Sequence, residues 1–309
     1  MSHAQNTAVG PAKARRLFVY NGGFLKQTRV RRILTLAGYR VSLGLPGPDD
    51  LVGIWGNSPT AHRGLSVAAR RNTPVVRIED AFLRSLFPGR TGAMPLGLLI
   101  DHKGAHFDPQ RPSDLEEILA THPLDDTALL NRARGAMARM AEAHLTKYTA
   151  FDPDAAVPDP GYVLVIDQTR GDASVTASGA DRNRFLEMLF VAQDEHPSAR
   201  IYIKTHPETA QGLRDGYFRA TDCNDRVHLL TDTVSPWALM EGAIAVYTVS
   251  SGMGFEAILA GHKPRVFGQP FYAGWGLSVD EFPVQRRQRK LTRAQLFAGA
   301  MMLYPKWYD

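Results

Sequence analysis

Short apolar runs alternate with stretches of helical periodicity along almost the whole chain. In the first half, RLFVYN (16–21), RVSLGL (40–45), LVGIWG (51–56) and VVRIED (75–80) read as strands, with helices near 26–37 and 61–71 between them. Strands separated by helical patterns predict parallel sheets with crossover helices. LGLLIDHKGAHFD predicts an additional hairpin that turns at Lys103-Gly104. SDLEEIL predicts a helix opened by a capping box from Ser113 to Glu116, and a longer helix is expected over 126–148.

The segment FDPDAAVPDPG (151–161) holds too much Pro and Asp for a helix or a central strand, and marks a domain boundary. Beyond it the same alternation returns. Strands are expected at 162–167, 200–205, 226–231, 243–249 and 264–268, and helices at 181–195, 235–242 and 253–261. A final helix starts at Thr292 with a second capping box to Gln295. The fold class is therefore α/β, with two Rossmann-like domains (16–150 and 161–285) facing a central cleft and a helical tail (286–309) closing the fold.

Composition narrows this picture mainly by exclusion. The chain has 309 residues, 44% hydrophobic and 22% charged, which suits a globular protein with a sizeable core. No apolar run approaches the roughly 20 residues that cross a bilayer. The first fifteen residues lack the apolar centre of a secretory signal, so a cytoplasmic protein with a loose N-terminus is expected. Cys223 is the single cysteine, which excludes an internal disulfide and a thiolate metal cluster. The formal charge of +5 is concentrated in KQTRVRR (26–32) and RRQRK (286–290). The second stripe reads as a solvated face or as a contact for anionic headgroups. No aromatic-basic interleaving accompanies it, so nucleic acid is not an expected partner.

Ligands of open parallel sheets collect at the carboxyl ends of strands, and five stretches fall there. Asn21, Gly22 and Gly23 form a strand-to-helix turn that either admits a ligand close to the backbone or simply needs positive φ. Glu79 and Asp80 end a strand side by side, as a surface or helix cap or, if one is enclosed, as a general acid or base. Asp167 and Asp172 close VLVIDQTRGDASV as loop carboxylates or as a nucleophile activated by its surroundings. Lys204, His206 and Pro207 follow a strand directly, either with a structural histidine or as an arrangement suited to holding a phosphate. Ser250, Ser251 and Gly252 mark a strand-to-helix junction that is either an ordinary N-cap or an anion site, with Glu256 in position for ribose hydroxyls. DPD at 152–154 imitates a metal clamp, but its Pro-rich setting speaks against one, and no metal site is expected.

RIEDAFLRS, PSDLEEIL, VLVIDQTRGDASV, KTHPE and YTVSSGMGFEAILAGHKPRVFGQPFYAGWGLS, in this order, resemble the bacterial capsule polysaccharide biosynthesis proteins typified by KpsC. The resemblance covers residues 16–308 and is nearer to that protein's N-terminal module than to its second one. It implies GT-B-like architecture and a retaining β-Kdo glycosyltransferase that takes Kdo (3-deoxy-D-manno-octulosonic acid) from CMP-β-Kdo. The implied acceptor is lipid-linked Kdo or a phosphatidylglycerol-type lipid, with the inner-membrane surface and the capsule export machinery as partners. No cofactor or metal is implied.

Residue by residue, His206-Pro207 match the HP motif that grips CMP, Ser250 and Ser251 the serine pair beside its phosphate, and Glu256 a ribose contact. Glu79-Asp80 match an acidic pair, although Ala81 stands where the motif carries Gly. Asp172 matches the covalent nucleophile, with Asp167 as the other claimant. Arg84 and Lys204 are expected to hold the sugar's own carboxylate. A sialyltransferase-like enzyme, a sugar-nucleotide 2-epimerase and a non-catalytic capsule-export partner are the alternative readings.

Overall fold

A computed structural model describes residues 14–308 apart from 88, 90 and 91. The expected loose N-terminus falls on residues 1–13 and so lies outside the described residues. Twelve strands are present among them: β1 Arg15–Val19, β2 Tyr39–Ser42, β3 Leu51–Trp55, β4 Val75–Asp80, β5 Gly97–Asp101, β6 Tyr162–Ile166, β7 Ile201–Lys204, β8 Val227–Leu230, β9 Ala243–Thr248, β10 Arg265–Val266, β11 Val279–Asp280 and β12 Pro305–Trp307. They form two six-stranded sheets, ordered β12-β5-β4-β3-β1-β2 and β11-β10-β9-β6-β7-β8.

The second sheet is parallel throughout. All five residues of β6 are buried, as expected for a central strand covered on both faces. Strand order reverses between β6 and β9, where crossovers leave to opposite sides and open a crevice at the carboxyl ends. In the first sheet β4 pairs antiparallel with β5, and β5 antiparallel with β12. The tail thus runs through the helix Arg293–Phe297 and a π-helix Ala298–Leu303 and then contributes a strand to the first sheet, an element the sequence reading did not contain.

Three local expectations change. The hairpin at Lys103-Gly104 does not form; Asp101 Oδ1 accepts the amides of Lys103 (2.9 Å) and Gly104 (2.7 Å), which turns the chain out of the sheet. Ser113 caps the helix Asp114–Thr121 by accepting from Glu116 N, but the reciprocal half of that capping box is missing. The Glu116 carboxylate instead receives Arg286 and Arg287 (2.9 Å) from the tail. The helix expected to reach residue 148 is Thr127–Glu142. Beyond it His144 adopts φ +50°, and the next residues bond to the second half: Trp237 Nε1 donates to Leu145 O (2.8 Å) and Thr146 Oγ1 to Glu256 Oε1. Tertiary contacts override helical pattern there.

The two halves share one core. Met140, Leu99 and Leu115 from the first pack in the same cluster as Phe255, Phe271 and Trp275 from the second. Phe82 stacks on Phe271 with ring centroids 4.5 Å apart. The basic 286–290 stripe belongs to this junction too, which corrects its reading as a free cationic face. Arg287 is 6% exposed and also donates to Pro270 O and Ala273 O, and Arg289 donates to Leu119 O, His122 O and Pro123 O at the end of the 114–121 helix.

Candidate active site

The carboxyl ends of the two sheets open on one cavity of about 380 Å³. Its second-half wall is built locally. After β6, Gly171 at φ +71° lets the chain turn, and Asp172 caps the short helix Ala173–Ala177. Asp172 Oδ1 accepts from Ser174 N (2.8 Å) and Ser174 Oγ (2.6 Å). Ser174 Oγ lies 2.9 Å from Ser250 Oγ, and Gln168 Oε1 accepts from Ser250 N (2.9 Å), so the Asp172 loop and the serine pair form one network. Ser251 caps the helix Gly252–Ala260, whose N-terminus faces the cavity.

Asp167 is placed differently from Asp172. It is 2% exposed, and its Oδ1 accepts the amides of Gln168 (2.8 Å) and Tyr217 (3.0 Å). Its Oδ2 lies so close to Gly216 that a Cβ there would approach within 2.2 Å. Burial pushes its pKa up to about 6 despite those amides. This carboxylate holds the loop at 216–218.

His206 caps the helix Pro207–Ala210, and its Nδ1 accepts from Glu208 N (3.1 Å). The neutral ring therefore carries its proton on Nε2. Burial, opposed by Glu208 and reinforced by Lys147, lowers its pKa to about 4, so at neutral pH it is an N–H donor and not a cation. Lys204 Nζ donates to Asp232 O (2.7 Å), and burial brings its pKa down to about 8.

The first-half wall is assembled from distant segments. Glu79 ends β4 with its carboxyl against Gly56, where a Cβ would sit 1.5 Å from Oε1; Gly56 has φ +39°. Burial pushes the Glu79 pKa up to about 7, with Asp80 and Asp172 adding to the rise and Lys147 opposing it. Asp80 also reaches the wall, but its Oδ2 accepts from Arg84 Nε (2.7 Å). His106, edge-on to Phe82 with ring centroids 5.1 Å apart, is held neutral by burial and by Lys147, its pKa near 3. Burial disfavours charge on Lys147, yet Tyr148, Asp172, Asp80 and Glu79 outweigh it and keep the ammonium above its ordinary pKa.

Glu256 links the walls. Its Oε1 accepts from Thr146 Oγ1 and Lys147 N (3.3 Å), its Oε2 has no partner among the described residues, and burial pushes its pKa up to about 7.

Of the residues singled out in the sequence, Glu79, Asp80, Asp167, Asp172, Lys204, His206, Pro207, Ser250, Ser251, Gly252 and Glu256 line this cavity, and Arg84, Asn21, Gly22 and Gly23 do not. Arg84 is buried and donates to Asp80, Ser85 Oγ and Ala93 O, so its guanidinium is committed elsewhere. Asn21 turns back on its own loop, donating to Thr60 Oγ1 (2.8 Å) and accepting from Gly23 N (2.9 Å). Gly22 has φ −60°, so a need for positive φ does not explain the glycine there. Sequence reasoning missed Lys147, His106, Gln168, Ser174 and Gly56. Gln168 and Ser174 stood inside a quoted motif, whereas Lys147 and His106 lay in segments assigned to a helix and a hairpin.

The family model described as capsule polysaccharide biosynthesis protein matches residues 50–155 and 127–305. The chain belongs to this family. LipA of Neisseria meningitidis serogroup B, a capsule polysaccharide modification protein, is 38% identical over 267 residues, which is 82% of this chain and 38% of LipA. The chain thus spans well under half the length of that relative. Among solved structures, the β-Kdo 2,4 transferase of Thermosulfurimonas dismutans KpsC superposes with TM-score 0.88 at 34% identity, covering 96% of this chain and 93% of the other. The β-Kdo 2,7 transferase of the same protein gives 0.71 at 24% identity over the same shares, a likeness of fold. The capsule-family chain has the GT-B-like fold expected for it, with two Rossmann-like sheets facing one cleft.

Proposed function

We propose that this capsule-family chain is a retaining β-Kdo transferase that uses CMP-β-Kdo and a glycolipid acceptor, by double displacement. The observation that carries the reading is the meeting of Asp172 and Glu79, carboxylates from separate sheets, on one cavity that is also lined by the Lys147 ammonium and a helix N-terminus.

In the first displacement Asp172 attacks the anomeric carbon. The hydrogen bonds from Ser174 fall on Oδ1 and leave Oδ2 as the attacking atom. The bond to the CMP phosphate breaks, and the leaving monophosphate takes up the electron pair. The 252–260 helix N-terminus, the serine hydroxyls and the neutral His206 Nε2–H stabilise that charge as donors. Kdo carries its own carboxylate, and Lys147 is the cation placed to hold it. This role replaces the one expected of Arg84.

In the second displacement Glu79 takes the proton of the acceptor hydroxyl as that oxygen displaces Asp172. A pKa near 7 suits a base at neutral pH. Two inversions at one carbon give net retention. Intact-protein mass spectrometry after exposure to CMP-Kdo tests the reading. One added Kdo on the wild type, absent from Asp172→Ala, is the expected outcome; an adduct that survives in Asp172→Ala, or an α-linked product by NMR, overturns it.

A further inference from the structure

His106 lines the cavity, yet the reaction proposed above gives it no part. The chain is shaped to bring it there. Past β5, Asp101 Oδ1 accepts from Lys103 N and Gly104 N, and Gly104 then passes so close to Pro112 O that a Cβ would meet that oxygen at 2.9 Å. The loop between Gly104 and Pro112 is thus closed at its neck by a contact that requires glycine. Inside it Asp108 N donates to Ala105 O (3.0 Å), a tight turn with His106 and Phe107 as its central residues. Three rings then meet the imidazole at steep angles: Phe82 (centroids 5.1 Å apart, 86°), Phe107 (5.3 Å, 84°) and Phe271 (6.0 Å, 72°). These contacts fix the ring without using its nitrogens. Neither nitrogen has a hydrogen-bond partner among the described residues, and the side chain is partly exposed.

The state of the ring selects the chemistry it can meet. Burial and Lys147 keep it neutral, while Asp172 opposes them, so it stands within reach of both charges. A neutral imidazole offers one N–H and one bare nitrogen. That pair suits a hydroxyl, which donates and accepts at once, and is a poor match for a phosphate or a carboxylate. In the proposed reaction those anionic groups of the donor already have Lys147 and the second-half wall. His106 comes from the first half, as Glu79 does. Beside it Phe82, stacked on Phe271, is partly exposed and adds an apolar surface to the cavity. An apolar wall carrying one fixed polar group is how a pocket orients a ligand of mixed character, such as a pyranose with its C–H face and its hydroxyls.

We propose that His106 binds a hydroxyl of the acceptor sugar and, with Phe82, turns that sugar so that its reacting hydroxyl faces Glu79. The inference rests on the transfer reaction proposed above and adds to it a residue that selects and orients the acceptor. Glu79 remains the base, because an imidazole with a pKa near 3 takes up no proton at neutral pH.

The test is calorimetric titration of the CMP-saturated protein with the methyl β-glycoside of Kdo, beside a titration with CMP alone. His106→Phe fits the same aromatic nest and removes both hydrogen-bonding atoms; it is expected to weaken glycoside binding about tenfold or more. His106→Gln keeps one donor and one acceptor and is expected to stay within about threefold of the wild type. CMP affinity should change less than about twofold in either variant, which also shows that both are folded. Wild-type glycoside affinity in His106→Phe overturns the proposal, as does a wild type that binds CMP and not the glycoside. Equal losses in the two variants would make the ring a matter of shape, and a parallel loss of CMP affinity would make it a donor contact; either result overturns it as well. No turnover is involved, so absence of the Asp172 adduct would sink double displacement and leave this contact standing, whereas an unaltered His106→Phe would sink the contact and leave the adduct.

Discussion

The two walls of the cavity solve the same problem by different means. On the second-half side, Asp172, His206 and Ser251 sit two to six residues past the strands that deliver them, and a cap fixes each rotamer: Asp172 on Ser174, His206 on Glu208, Ser251 on Met253. On the first-half side Glu79 needs Gly56, and Lys147 needs Glu256, from 23 and 109 positions away. A wall of local caps tolerates changes elsewhere in the chain; a wall of remote supports fails when any support fails. Breaking each wall in turn sharpens this contrast.

The largest effect belongs to the local wall. Asp172→Ala is expected to lower turnover by about a thousandfold or more while leaving the melting temperature close to wild type, because a partly exposed cap is lost and nothing buried is stranded. Asp167→Ala should do the reverse. It strands two buried amides, each worth about 1–3 kcal/mol, so thermal stability falls more than in Asp172→Ala and turnover of the folded fraction falls less. Parallel kinetics and melts of the two variants decide which of the paired acids acts and which supports.

The remote wall comes next. Gly56→Ala places a methyl group where the Glu79 carboxyl now lies, at a backbone angle that favours glycine. Turnover is expected to drop about a hundredfold although Gly56 touches no substrate in the proposed reaction. In the wild type, kcat/KM should rise with pH through about 7 as Glu79 ionises, and Glu79→Gln should lose that limb together with most of its rate. A Glu79→Gln profile that keeps the rise would assign the base elsewhere. Lys147→Met is expected to raise KM for the donor about tenfold or more with a smaller change in kcat, and Lys147→Arg to recover part of it, since both cations hold a carboxylate and only one has the native shape.

The same contrast explains what could be read beforehand. The alternation of apolar runs and helical periods was enough for two sheets, one parallel throughout and the other parallel only across β2, β1, β3 and β4, since crossover topology follows from local pattern. The cavity residues named in advance from the second half end a strand or follow one within six positions, except Glu256, which sits in the helix Gly252–Ala260. Those missed, or misplaced, depend on partners far along the chain. Lys147 stood inside an expected helix that ends at Glu142, because Trp237 and Glu256 pull residues 145 and 146 toward the other half. His106 followed an expected hairpin turn that Asp101 converts into an exit from the sheet. Strand β12 and the internal pairing of Arg286, Arg287 and Arg289 were equally hidden, for one turn of basic residues reads as solvated until its acceptors are known.

The smallest expected effect concerns the bridge between the walls. Glu256 is buried with a folded-state pKa raised to about 7 from 4.5, chiefly by burial. Between those two values the folded chain keeps a proton that the unfolded chain has released. The stabilising contribution is therefore complete below about 4.5 and is lost as pH rises through 7. Glu256→Gln retains an oxygen to accept from Thr146 and Lys147 N and carries no charge to desolvate. It should match the wild type at pH 5 and exceed it at pH 8, by about 1–3 kcal/mol or a few degrees of melting temperature. Melting curves at the two pH values measure this directly. If the variant is less stable at pH 8, the ionised carboxylate is what joins the walls, and Lys147 is then held by charge and not by the neutral hydrogen bonds described above.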